Sequence, residues 1–259
     1  MKNITTIARR PLPRAAAMAG LALVTLPAVL VCGVQGQGEA AQEGQARAFL
    51  AAVRGIQPVA CELVVQSAGN HWGMGGMWDD APMAARQTED TRRVLAWAGG
   101  GTVTSDDLAV LTGGLGDADA CVRRVSARIL GRRRVAGGVD ALLAALRSGE
   151  TARRDAAIVG LGYAGDARAV APLTALLSSG DAEVRGGAVW ALGHTESREA
   201  GAAVARLAGD REARVRQAVA RALGRLEDTS SVPTLTRLLS SDSDAEVRRA
   251  AAWALGRMD

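Results

Sequence analysis

The dipeptide Leu-Gly recurs at Leu130-Gly131, Leu161-Gly162, Leu192-Gly193, Leu223-Gly224 and Leu255-Gly256, at spacings of 31, 31, 31 and 32 residues. A fixed period of this length marks an array in which each unit is one supersecondary element that cannot bury its apolar face alone and must stack on its neighbours. Column by column, the units describe a helix. One column holds Val122, Arg153, Val184, Val215 and Val247. Apolar or small residues follow three, four, seven and eight positions later, ending on the Leu of each pair. That spacing is one face of an α-helix. The glycine after each leucine is expected to stop the helix in a left-handed conformation, and Arg153 is expected to loosen the second unit.

A second helix precedes each of these. Its seam is carried by Leu108, Leu111 and Leu115 in the first unit, then Leu142, Leu143 and Leu146, then Leu173, Leu176 and Leu177, then Val204 and Leu207, and finally Leu235, Leu238 and Leu239. The composition agrees, with 48% hydrophobic but only 3% aromatic residues. Alanine, leucine and glycine suit closely packed short helices better than a β-sandwich. The last unit reads Asp244-Ala-Glu-Val-Arg-Arg-Ala-Ala-Ala-Trp-Ala-Leu-Gly-Arg-Met. It resembles the second helix of HEAT repeats, in particular the short HEAT-like type first associated with phycobilin lyases. The resemblance covers residues 104–259. It implies an all-α, right-handed α-solenoid of five stacked helical hairpins whose second helices line a concave surface.

Two sets of columns separate frame from variable surface. Arg123, Arg154, Arg185, Arg216 and Arg248 occupy one position in all five units, each four residues after an acid: Asp119, Glu150, Asp181, Glu212 and Asp244. Acid before base at this spacing is favourable on a helix, and acid near the helix start suits the dipole. These ten residues are read as structural, pairing within the helix or bridging neighbouring units. The positions two, six and ten beyond the valine column vary instead. They hold Arg124, Arg128 and Arg132; Asp155, Val159 and Tyr163; Gly186, Trp190 and His194; Gln217, Arg221 and Arg225; Arg249, Trp253 and Arg257. They share one helix face and are rich in the residue types of binding hot spots. Arg124, Arg128, Tyr163, Trp190, His194, Arg221, Arg225, Arg249 and Trp253 are therefore the candidate partner-binding residues, against the plainer reading that the two tryptophans only fill ridges between units.

The N-terminal part differs. Lys2, Arg9, Arg10 and Arg14, then an apolar run from Ala15 to Val31 and small residues to Ala40, have the order of a secretory signal peptide over residues 1–36. A retained membrane anchor and a lipoprotein attached at Cys32 are the rival readings. Residues 41–100 are expected to form a helical cap, with Ala46, Phe49, Leu50 and Val53 on one helix face, another helix over 81–98, and a Gly/Trp/Met loop at 69–80. Trp72 and Trp78 in that loop are further candidates for partner contact, or for plugging the end of the array. Cys61 and Cys121 are expected to be small buried residues, with a disulfide as the alternative.

The chain carries 31 basic and 27 acidic residues, and the four basic residues of the leader account for the whole excess. Without the leader the protein is neutral, so its basicity gives no argument for nucleic acid. There are two histidines, His71 and His194, and no phosphate loop, nucleophile elbow or paired-cysteine zinc pattern. His194-Thr195-Glu196 stands alone and cannot supply the repeated His-Glu dyads of the HEAT-repeat deoxyhypusine hydroxylases. No catalytic residue, metal or cofactor is expected, and no small-molecule substrate. The expected function is an exported, periplasmic scaffold gripping a protein partner, with contact to the membrane only through an uncleaved N-terminus. Two alternatives are a tetrapyrrole-handling or partner-modifying accessory protein, as the phycobilin-lyase resemblance implies, and a purely structural envelope spacer.

Overall fold

The computed structural model describes residues 44–54, 102–133, 135–195 and 197–258. The leader, the loop at 69–80 with Trp72 and Trp78, the helix expected over 81–98, Cys61 and His71 lie outside the described residues. Among those described, eleven α-helices and four short 3₁₀ turns occur, and no strand.

Helix α1, Gln45–Val53, buries Ala46, Phe49, Leu50 and Val53, the four residues of its apolar face. Five helical hairpins follow. Their helices are α2, Ser105–Gly114, with α3, Ala120–Arg132; α4, Gly138–Leu146, with α5, Thr151–Ala164; α6, Val170–Ala175, with α7, Ala182–Leu192; α8, Glu199–Ala205, with α9, Ala213–Leu226; and α10, Val232–Ser241, with α11, Ala245–Leu255. One apolar core runs from Phe49 in α1 to Ala254 in α11. The second helices α3, α5, α7, α9 and α11 pack directly on one another along the array, while the first helices touch their neighbours less. Helix α1 packs on α2 and α3. Its Ala46 N–H donates to the buried carboxylate of Asp107, 2.9 Å away, and that carboxylate also accepts from Thr104 in the capping box of α2.

The glycines of the Leu-Gly pairs are not left-handed helix stops. Gly131, Gly162 and Gly224 lie inside helices, and Gly193 and Gly256 have φ of −64° and −65°. The left-handed caps fall elsewhere, at Gly165 after α5 and at Glu227 after α9. The paired glycines are there for close approach. A Cβ on Gly193 would lie 2.7 Å from the Cβ of Ala222, and one on Gly224 would lie 2.7 Å from the Cα of Ala254. Gly131 sits in the same way against the backbone of Gly160, and Gly162 against the Trp190 ring. Each of these four glycines lets the second helix of the next repeat come within backbone contact, whereas a Cβ on Gly256 would meet only carbonyls of its own helix at 3.7 Å.

Three further expectations are corrected. Leu239 is 38% exposed, and the α10 seam is closed by Leu235 and Leu238 alone. Cys121 is buried but is disulfide-bonded, and its partner cysteine lies outside the described residues. Arg153, in the valine column, does not leave a gap. Its guanidinium reaches back to the Thr112 carbonyl of the preceding repeat at 3.4 Å and pairs with Glu150 at 2.9 Å.

Candidate functional site

In the acid–arginine columns, Arg154, Arg185 and Arg216 form ion pairs with Asp155, Asp210 and Asp242, not with the acid four residues before each. Asp119, Asp181 and Asp244 are the N-caps of α3, α7 and α11, and their carboxylates accept backbone N–H groups of the first turn at 2.8–3.2 Å. Glu150 and Glu212 hold the same position without a side-chain cap bond, since an extra methylene carries the carboxylate past the N–H groups. The arginines turn to the preceding loop. Arg123 donates to the carbonyls of Asp117 and Ala118, Arg185 to those of Ser179 and Gly180, Arg216 to those of Asp210 and Arg211, and Arg248 to those of Asp242 and Ser243.

Two of them also bridge repeats. Arg185 binds Asp210 through two bonds of 2.7 and 2.9 Å, and Arg216 binds Asp242 through two of the same lengths. Both pairs are nearly buried. The hydrogen bonds from Arg185 and Arg216 hold the Asp210 and Asp242 carboxyls below the usual carboxylate range. The acceptor column is one the sequence reading missed: Asp117, Ser148, Ser179, Asp210 and Asp242, two residues before each N-cap. Each of these side chains accepts the N–H of its N-cap residue. Where the column holds aspartate, an arginine can dock on its free edge. Arg54 after α1 takes that place on Asp117 at 2.7 Å. At Ser148 and Ser179 the serine offers no carboxylate, and Arg154 turns instead to Asp155 at 3.3 Å. The residue spacing of this aspartate column is visible in the sequence and could have found it.

The variable stripe is brought together on the second helices. Arg128 of α3 donates to the Tyr163 hydroxyl at 3.0 Å and stacks on its ring with 4.8 Å to the centroid, and Arg132 approaches the same ring at 5.3 Å. Tyr163 meets Trp190 edge to face at 5.3 Å. Trp190 in turn packs beside His194 at 4.3 Å. The His194 Nδ1–H donates to the Trp190 carbonyl at 2.7 Å. Burial pulls the imidazole pKa down, and Arg225 and Arg132 reinforce this against the opposing pull of the carbonyl bond. Past His194 lie Arg221 and Arg225 of α9, both exposed. Beyond them Arg257 lies over the Trp253 ring at 5.5 Å and donates to the Gly224 carbonyl at 3.1 Å, besides pairing with Glu227.

The members differ in exposure. Trp253 is 46% exposed, Trp190, Tyr163 and His194 are half-buried, and Arg124 is exposed. Arg249 is exposed and paired with Glu246. Arg128 departs from the expectation of a surface contact, being 7% exposed, because the Tyr163 ring of the next repeat covers it. Both tryptophans lean on a Leu-Gly glycine of the preceding repeat, Trp190 on Gly162 and Trp253 on Gly224. They fill a ridge with one ring edge and leave the rest of the ring to the surface. Among the described residues no group of three or more His, Cys, Asp or Glu is placed to hold a metal ion, and no helix is long and apolar enough to cross a membrane.

Stacked helical hairpins with a common frame and a variable face define a class, the α-solenoid repeat proteins. The family profile described as HEAT repeats matches residues 108–192, 139–212 and 202–259, which together span more than half of the chain, and the protein belongs to the HEAT-repeat family. Among solved structures it is similar to the complex of CpcE and CpcF of phycocyanin lyase from Nostoc sp. PCC7120, at 26% identity and a TM-score of 0.50. That match covers 61% of this chain and 66% of the other, a little under two thirds of its length. Similarity extends to an engineered protein, at 21% identity and a TM-score of 0.48 over 83% of this chain and 96% of that one. A designed armadillo repeat protein in complex with the peptide (KR)4 is also similar, at 18% identity and a TM-score of 0.47 over 76% and 98%. No match was found among curated proteins.

Proposed function

We propose that the protein is a non-catalytic scaffold that holds a polypeptide partner along the face of its second helices, outside the cytoplasm. The observation that carries this is the row of touching side chains Arg128, Tyr163, Trp190 and His194, which crosses three repeats and continues into exposed Arg221, Arg225 and Trp253. Arginine, tyrosine and tryptophan are the residues that dominate interface energetics, and here they are already fixed by contact with one another, which lowers the ordering cost of binding. The backbone-close packing of second helix on second helix at Gly193 and Gly224 draws the stack together on this side. This close packing supports reading the stripe as part of the inner surface of the stack. Export rests on the signal-like leader over 1–36, and the disulfide at Cys121 fits an oxidising compartment.

The test is affinity capture from the native cell envelope with mass spectrometry, comparing the wild-type chain with Arg221→Ala/Trp253→Ala. Arg221 is exposed, and Trp253 gives up only the ring edge seated on Gly224 and the Arg257 stack, so the variant is expected to fold with a slightly lowered circular-dichroism melt. A partner recovered by the wild type and lost by the variant supports the reading; a partner kept by the variant at full yield contradicts it. N-terminal sequencing of the purified protein tests export, with the mature chain expected to begin between about residue 33 and residue 41, after a small residue. A second reading, a partner-modifying role of the phycocyanin-lyase kind, draws only on the CpcE–CpcF similarity. It requires recovery of a partner bearing a covalent tetrapyrrole, visible as absorbance in the captured material.

A further inference from the structure

Arg221 and Arg225 are arranged unlike the arginines of the frame. They stand one turn apart on α9, both exposed, and neither has a carboxylate partner among the described residues, whereas Arg185 and Arg216 each hold an aspartate. The charges that act on Arg225 are those of Arg257 and Arg221, and after burial this like-charge crowding pulls its pKa down. Beside them is a cavity of about 150 Å³, walled by Trp190, His194 and Gln217, with the Arg214–Glu183 pair on its flank. The Trp190 wall is held from behind by the edge-to-face contact with Tyr163 and by the glycine seat at Gly162.

Taking the face as the polypeptide-binding surface proposed above, we infer that this cavity receives an aspartate or glutamate side chain from an acidic segment of the partner. The carboxylate accepts charge-assisted hydrogen bonds from Arg221 and Arg225, and an apolar neighbour in the segment lies on the Trp190 ring. Two uncompensated guanidinium groups call for an anion, and guanidinium is the side chain best shaped for carboxylate. The cavity is smaller than the ~300–1,000 Å³ pockets that enclose whole small-molecule ligands. It fits one side chain of a larger partner, and it does not fit a tetrapyrrole. Binding a carboxylate here also relieves the repulsion among Arg221, Arg225 and Arg257.

The full chain is titrated, by fluorescence anisotropy, against a fluorescein-labelled peptide of repeated Glu-Leu-Ser units and against its Gln-Leu-Ser counterpart. The Glu peptide is expected to bind at least tenfold more tightly than the Gln peptide, and to weaken as salt is raised through the range where the Debye length falls below ~10 Å. Arg221→Ala/Arg225→Ala is expected to remove that preference while leaving the melt unchanged. Equal binding of the two peptides, a preference that survives in the double variant, or no binding of the Glu peptide would each overturn the inference. A preference of more than tenfold for a phosphoserine peptide over the Glu peptide would overturn it in favour of phosphate. The capture experiment is read separately. A partner retained by Arg221→Ala/Trp253→Ala overturns the scaffold reading and this inference with it. Loss of the partner there, with no Glu preference here, overturns the acidic assignment alone.

Discussion

At Gly193 a methyl group has nowhere to go: the Cβ of an alanine would sit 2.7 Å from one atom of Ala222 and 2.8 Å from another. The contact is with backbone and a Cβ, so neither side can swing away. Gly193→Ala is therefore expected to lower stability by about 1–3 kcal/mol, the usual cost of overpacking, seen as a lower urea midpoint with an unchanged slope. The sequence locates this glycine and assigns it the wrong reason. Glycine serves two physical needs, a positive φ and the absence of a Cβ, and a column of glycines looks the same for both. At the end of α5 the two are separated, since the helix runs past Gly162 and is capped by Gly165 at φ 61°. Asp244 is a simpler case. Its carboxylate accepts two first-turn N–H groups, and Asp244→Ala is expected to cost about 1 kcal/mol in the same assay.

Between elements, the rungs from Arg185 to Asp210 and from Arg216 to Asp242 tie the second helix of one repeat to the interhelical loop of the next. Breaking such a pair leaves a nearly buried guanidinium without its carboxylate. Asp242→Ala is expected to cost roughly 2–3 kcal/mol, somewhat less than the ~3–5 kcal/mol of a fully buried pair, since Arg216 keeps its bonds to the Asp210 and Arg211 carbonyls. The reverse change adds a rung. Ser179 already accepts the N–H of its N-cap residue as Asp210 does, and by the repeat period it stands to Arg154 as Asp210 stands to Arg185. Ser179→Asp is expected to raise stability by about 1 kcal/mol; no gain would mean that the repeat 2–3 boundary differs in geometry from the two that follow. The rungs also set a pH response. Both aspartates have folded pKa values below the unfolded ~3.9, chiefly through the arginine hydrogen bonds. Their stabilisation is complete above that value and is lost as pH falls through the depressed folded values. The urea midpoint should fall steeply below about pH 4, and less steeply in Asp210→Asn/Asp242→Asn. The arginine column was legible as structural from its recurrence. Its partner was not, because helix spacing suggests the acid four residues back, while the actual acceptor lies a repeat ahead and is present in only some repeats.

For the whole molecule, the period of the Leu-Gly pairs was enough to give five helical hairpins, because a solenoid repeats its core contacts with its sequence. The stripe was legible as a set of positions on one helix face. What sequence could not supply was depth. Arg128 and Arg221 occupy the same column, yet one is covered by Tyr163 of the next repeat and the other stands open, because Tyr163 has no aromatic counterpart one repeat after Arg221 at that height. Frame and stripe occupy separate columns in this protein: the glycine seats and arginine rungs hold the stack together, and the stripe is the face proposed to bind the partner. The most direct test is to titrate the partner recovered from the envelope against three proteins, the wild type, Arg221→Ala/Trp253→Ala and Ser179→Asp, and to measure the urea midpoint of each. The stripe variant is expected to lose at least tenfold in affinity with a midpoint only slightly lowered, and the rung variant to show a raised midpoint with unchanged affinity. Affinity that follows the midpoint, or a stripe variant that binds as the wild type does, would contradict it.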